Sequence, residues 1–93
     1  MSIRIRVLLH ANFREIVGKR EITEEIDSNS RLRHILEKLA KKYGRDFKQI
    51  VEPNMSVISS EFLVSINGRN IRDPNIRLNN GDIIMITIPA GGG

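Results

Sequence analysis

Residues 31 to 43 are Arg31-Leu32-Arg33-His34-Ile35-Leu36-Glu37-Lys38-Leu39-Ala40-Lys41-Lys42-Tyr43, and this stretch decides the fold. Leu32, Ile35, Leu36, Leu39, Ala40 and Tyr43 recur at i, i+3, i+4 and i+7, the spacing of one apolar stripe along an α-helix. Asn29 or Ser30 is placed to cap its start, since a short polar side chain there accepts an orphan backbone N–H. Lys41 and Lys42 suit the negative end of the helix dipole, and Gly44 is placed to close it in a left-handed cap. The spacing predicts a helix over 31–43.

Outward from the helix the period changes from 3.6 to 2. Upstream, Ile3, Ile5, Val7 and Leu9 alternate with Arg4, Arg6 and Leu8, the pattern of a strand buried on one face. Residues 11 to 17 carry Phe13, Ile16 and Val17 at one-turn spacing and end at Gly18, which predicts a short helical turn. A second strand is expected over about 20–26 as an edge strand or a bulge, because Glu24 shares a face with Ile22 and Ile26.

Downstream, residues 45 to 60 have no clear period. Phe47, Ile50 and Val51 fit one more helical turn, and Pro53-Asn54 is a turn signal. Phe62, Val64 and Ile66 alternate against Leu63, Ser65 and Asn67, then Asn67-Gly68 marks a tight turn and 69–71 a short return strand. Asn79-Asn80-Gly81-Asp82 is a second turn, and it launches Ile83 to Ile88, the most strand-like run in the chain. Pro89 stops the pairing. One amphipathic helix with this strand order predicts an α+β roll of the β-grasp kind, a mixed four- to five-stranded sheet covered on one face by one main helix. Residues 1–89 form that domain and residues 90–93 a flexible glycine tail.

The chain has 93 residues, room for one core. It has no cysteine, which excludes disulfides, thiolate metal sites and a cysteine nucleophile. His10 and His34 have no ligand pattern around them, so no metal site is expected. The charge of +4 is modest and aromatics are 4%, so neither nucleic acid nor membrane is expected as a partner. No apolar run approaches the roughly 20 residues that span a bilayer, and Met1 to Arg6 is unlike a signal peptide, so a cytoplasmic location is expected.

Two features are left to carry chemistry. The first is the tail, Ala90-Gly91-Gly92-Gly93. Glycine has no Cβ and costs the most entropy to fix, so this end can thread a narrow channel and present its carboxylate to a buried reaction centre. Taken alone, the tail fits a frayed end as well; the Pro89 boundary favours function. A carboxylate is inert until activated, and the chain has no phosphate-cradling loop, so activation with ATP falls to a partner enzyme and no cofactor is expected on the chain itself. The second feature is the outer sheet face. If Ile84, Ile86 and Ile88 face the helix, then Ile83, Met85 and Thr87 face away beside Leu8 and Leu63, with Arg4 and Arg6 on the rim. Such a patch suits partner docking. The alternatives are that residues 45 to 60 fold over it, or that these are scattered surface apolar residues.

The chain resembles the ubiquitin-like sulfur carriers: the small subunit of molybdopterin synthase, the thiamine-pathway carrier and the small archaeal modifier proteins. The resemblance rests on Phe13 to Gly18 after the first strand, Leu36 and Leu39 in the capped helix, Val64 to Gly68, Asn80-Gly81-Asp82, and Ile88-Pro89 before the glycines. It implies an acyl-adenylate and then a thiocarboxylate on Gly93, formed by a ubiquitin-activating-like adenylating enzyme. It implies either delivery of that sulfur within a complex with the large subunit of molybdopterin synthase, or conjugation of Gly93 to lysines of target proteins. Gly92 and Gly93 match the family's terminal pair, while Gly91 stands where a larger residue is common.

Overall fold

The computed structural model describes residues 1–44, 46–51 and 57–89. Its elements run β1 (Ser2–Leu9), α1 (Ala11–Val17), β2 (Glu21–Asp27), α2 (Leu32–Tyr43), a 3-10 turn (Lys48–Ile50), β3 (Leu63–Ile66), β4 (Arg69–Asn70) and β5 (Ile83–Thr87). The five strands form one mixed sheet in the order β2-β1-β5-β3-β4. β1 and β5 are parallel at its centre, and every other pairing is antiparallel.

The register explains the core. Ile5, Val7 and Leu9 of β1, Ile84 and Ile86 of β5, and Val64 and Ile66 of β3 are all buried, because successive side chains on a strand point to opposite faces. Leu32, Ile35, Leu36 and Leu39 of α2 close over that face. Phe13 of α1 packs at 5.0 Å from Phe47 and 5.7 Å from Phe62, ring centre to ring centre. The helical turn predicted from Phe47 and Ile50 is therefore present, and it seals the helix side of the sheet; the turn predicted at Pro53-Asn54 lies outside the described residues.

The start of α2 differs from the expectation. Arg31, not Asn29 or Ser30, is the cap, and its N–H donates to His34 Nδ1 at 2.8 Å. Ser30 is occupied elsewhere: its N–H donates to the Asp27 carbonyl and its own carbonyl accepts the Leu78 N–H. The first helical N–H groups, of Leu32 and Arg33, go to the carbonyls of Ile76 and Pro74. A passing chain segment thus meets the orphan donors that a side chain was expected to meet. At the other end Gly44 takes φ 120 and ψ 173, positive in φ but extended in ψ, so the left-handed cap is not formed there. Gly18, with φ 82 and ψ 10, does close α1 in that way.

Glu24 departs most from the expected pattern. It lies on the edge strand β2 facing the core, and only 5% of its side chain is exposed. Two lysines of α2 reach across it: Lys42 Nζ donates to Oε2 at 3.0 Å, and Lys38 Nζ stands 3.6 Å from Oε1. Oε1 has no hydrogen bond beyond that ion-pair contact. The carboxylate holds the Lys42 ammonium above its ordinary pKa of 10.5, chiefly through this hydrogen bond.

Candidate functional site

β5 leads into the tail, so the site is built where β5 ends. Leu9 is the register partner of Ile86, and Leu63 of Thr87, so the root of the tail lies between the end of β1 and the start of β3. The His10 N–H donates to the Ile86 carbonyl at 3.2 Å. Ala11 then turns the chain into α1 with φ 54, a left-handed conformation that costs a residue with a Cβ about 1 kcal/mol or more. Pro89 is half-buried and Ile88 is 47% exposed. Ile88 lies beyond the strand and does not face the helix, contrary to the extrapolated alternation: the pleat that would turn it inward ends at Thr87.

The outer face assembles as the register requires. Leu8 sits beside Met85, Met85 beside Ser65, and Thr87 beside Leu63. Leu8, Ile83, Met85 and Thr87 are half-buried and Leu63 is 38% exposed. The described part of residues 45 to 60 packs with the core, Phe47, Ile50 and Ile58 being fully buried, rather than over this face. An apolar strip therefore runs across three strands to the root of the tail.

The rim is only partly as expected. Arg6 does not project as an uncommitted cation. Its Nε and Nη2 donate to Glu21 Oε2 and Oε1 at 2.9 and 2.8 Å, a bidentate pair across β1 and β2. Both side chains remain nearly half exposed, at 49% and 41%. The hydrogen bonds from Arg6 hold the Glu21 carboxyl below its ordinary value of 4.5, and the same pair raises Arg6. Arg4 is exposed and its backbone N–H donates to Asn80 Oδ1 at 2.8 Å. Of the residues expected at the site, the structure brings together Leu8, Leu63, Met85, Thr87 and Pro89 at one end, while Arg4 lies at the other end of β1. Gly91, Gly92 and Gly93 lie outside the described residues.

Two sequence turns prove to be one device. Asn67 Nδ2 donates to Asp82 Oδ1 at 2.9 Å, Asn67 Oδ1 accepts the Ile83 N–H at 2.9 Å, and Asp82 Oδ2 accepts the Asn79 N–H at 2.8 Å. Asn67 and Gly68 both have positive φ, 53 and 86, as a two-residue hairpin turn requires. Buried Asp82 thus fixes the start of β5 against the β3–β4 turn. Among the described residues no group of His, Cys, Asp and Glu side chains is disposed to hold a metal ion, and no helix is long and apolar enough to cross a membrane.

A five-stranded mixed sheet in this order, gripping one main helix, is a ubiquitin-like β-grasp. Residues 7–93 match the model of the ThiS family, and the chain belongs to that family of ubiquitin-like sulfur carriers and modifiers. No curated protein matches it by sequence. Among solved structures it is similar to the small archaeal modifier protein 1 of Methanosarcina acetivorans, with 27% identity, a TM-score of 0.77, and 100% of this chain and 99% of that one covered. It is similar in fold to the HVO 2177 protein of Haloferax volcanii, with 24% identity, a TM-score of 0.82 and coverage of 99% and 88%. A protein of Pyrococcus furiosus assigned as molybdopterin converting factor, subunit 1, shares the fold at 23% identity, a TM-score of 0.77 and coverage of 95% and 99%.

Proposed function

We propose that this chain is a sulfur carrier whose Gly93 carboxylate is adenylated by a ubiquitin-activating-like partner and converted to a thiocarboxylate, and that it serves as the small subunit of molybdopterin synthase. The observation that carries this reading is the continuity of the apolar outer strip with the root of the glycine tail. A partner seated on Leu8, Met85, Thr87 and Leu63 receives the tail beside its own reaction centre.

The chemistry asks little of this chain. A Gly93 carboxylate oxygen attacks the α-phosphorus of ATP in the partner, pyrophosphate leaves, and the acyl-adenylate forms. Hydrosulfide, the simplest sulfur source, then attacks the acyl carbon and AMP leaves, so that sulfur stands in place of one carboxylate oxygen. The domain contributes position: Pro89 marks the end of the sheet, and glycines without side chains clear the channel. The large synthase subunit would take the sulfur onward.

A second reading is conjugation of Gly93 to lysines of other proteins, and the likeness to a small archaeal modifier protein over the whole chain favours keeping it. Delivery to thiamine synthesis or to tRNA thiolation makes the same demand on the tail. The test is intact-mass measurement after incubation with the activating enzyme, ATP and a sulfur source. The expected result is the mass gain of an oxygen-to-sulfur exchange, absent from a chain lacking Gly92 and Gly93. An unchanged mass with an enzyme proven active on another carrier overturns the sulfur reading. Gly93 remnants on lysines of cellular proteins would identify the modifier.

A further inference from the structure

At the end of the molecule opposite the tail, the segment 74–78 passes along the start of α2. The carbonyl of Ile76 accepts the Leu32 N–H and the carbonyl of Ser30 accepts the Leu78 N–H, so Arg31 and Arg77 face one another as an isolated antiparallel bridge. Those two hydrogen bonds flank the pair, which makes it the non-hydrogen-bonded kind, with Cα atoms roughly 4.5 Å apart and side chains on one face. Two like charges in that position oppose folding. No ion pair in the described structure offsets them. The ion pairs there are Arg6–Glu21, Lys38–Glu24 and Lys42–Glu24, and none includes Arg31, Arg33 or Arg77.

The acids nearest in sequence, Asp27 and Asp73, form no ion pair with these arginines. Asp27 Oδ1 accepts the Asn29 N–H and Asp73 Oδ1 the Asn75 N–H, each at 2.8 Å. Arg31 is meanwhile held in place, with Nη1 donating to the Asn75 carbonyl at 2.7 Å. Arg33, whose N–H donates to the Pro74 carbonyl, has a buried Nε with no hydrogen-bond partner. His34 accepts at Nδ1, which leaves Nε2 to donate.

From this we infer that Arg31, Arg77 and the adjoining Arg33 form a binding site for a phosphate group. Two guanidinium forks on one face suit a phosphate oxyanion, which accepts several charge-assisted hydrogen bonds and cancels the repulsion between them. The helix N–H groups are already satisfied, so the side chains supply the binding. The site lies at the opposite end from the tail and stays accessible while the tail is engaged. The inference does not depend on the chemistry proposed for Gly93, and its test does not involve the tail.

The experiment titrates the full chain with inorganic phosphate, with AMP and with a short uridine oligonucleotide, each against chloride at matched ionic strength. The readouts are the arginine Nε–H resonances and the melting temperature. Saturable shifts at Arg31, Arg33 and Arg77 are expected, with a rise in Tm of roughly 7 °C once the ligand exceeds its dissociation constant about tenfold. Arg77→Gln is expected to weaken binding at least about fivefold and to cut the rise by about half or more, whereas Lys48→Gln, in the 3-10 turn beyond the end of α2, leaves both intact. Because Arg77 is exposed and repelled in the bare protein, Arg77→Gln does not lower Tm in chloride. Saturation by phosphate and AMP identifies a small phosphorylated ligand, and saturation by the oligonucleotide alone identifies a nucleic-acid backbone. Equal gains in the parent and Arg77→Gln, or no saturation by any of the three, overturn the site.

Discussion

The two faces of the sheet are built from alternate residues of the same strands, yet they differ sharply in burial. On the inner face Ile5, Val7, Ile84 and Ile86 are fully buried beneath α2 and the Phe13–Phe47 contact. On the outer face Leu8, Met85 and Thr87 are half-buried and run to the root of the tail. A small domain has little apolar surface to spare, because its surface is large relative to its volume. With stability on one set of positions, the docking proposed above would fall on the interleaved set, and each could vary without the other. Burial against α2 accounts for the apolar residues of the inner face and leaves those of the outer strip without a part in the core.

The largest test of that division is Phe13→Ala. Removing a fully buried ring that touches Phe47 and Phe62 leaves a cavity under α1 and is expected to cost about 3–5 kcal/mol. Urea denaturation would measure it, and a loss below about 1 kcal/mol would mean that the aromatic cluster does not hold α1 against the sheet. Next is Met85→Glu on the outer face. It is expected to change stability by less than about 1 kcal/mol while weakening the complex with the activating enzyme at least tenfold, about 1.4 kcal/mol. Equal affinity for parent and variant would remove the outer strip from the docking surface.

The sequence alone was enough for the inner face, and less so for the contacts that join its elements; the glycine tail lies outside the described residues. Helix α2 and strands β1, β3 and β5 were legible because their apolar periods are unbroken. The outer strip followed from the same alternation, since a register with one face buried leaves no freedom on the other. Glu24 was legible as a residue sharing a face with Ile22 and Ile26, but not as a buried one. Its burial depends on Lys38 and Lys42, 14 and 18 positions further on and brought to it only by the packing of α2. The Asn67–Asp82 bond and the 74–78 segment that caps α2 were hidden for the same reason: each joins turns that look self-sufficient in sequence. Arg6 had a local signal that was missed, because Glu21 stands diagonally opposite in the hairpin register.

Glu24 sharpens the comparison from the inner side. Of the three charges only Glu24 is buried; Lys38 and Lys42 are 45% and 51% exposed, so removing the carboxylate ends its desolvation cost and leaves both ammonium groups in water. Glu24→Leu is therefore expected to leave stability within about 1 kcal/mol of the parent, or to raise it. The same change extends the apolar run on the edge strand from Ile22 to Ile26, and light scattering is expected to reveal greater self-association. A stabilised variant that stays monodisperse would mean that Glu24 is not there to protect the edge.

The smallest effect belongs to the outer rim. Hydrogen bonds from Arg6 lower the Glu21 carboxyl below 4.5, so the folded state binds its proton less readily than the unfolded chain does. The sign follows directly: the pair contributes stability that is fully present above the ordinary value of 4.5 and is lost as the pH falls through the lowered folded value. Glu21→Gln should therefore be less stable than the parent near neutral pH, and the two should converge in acid. The gap should also narrow in high salt, because both partners are substantially exposed and screened by solvent. Urea midpoints of parent and variant at neutral and acid pH, each at low and high salt, measure it. A gap that persists unchanged below the ordinary carboxylate range would assign the effect to packing of the Glu21 stem against β1, and the rim would then belong with the inner face as part of what holds the fold.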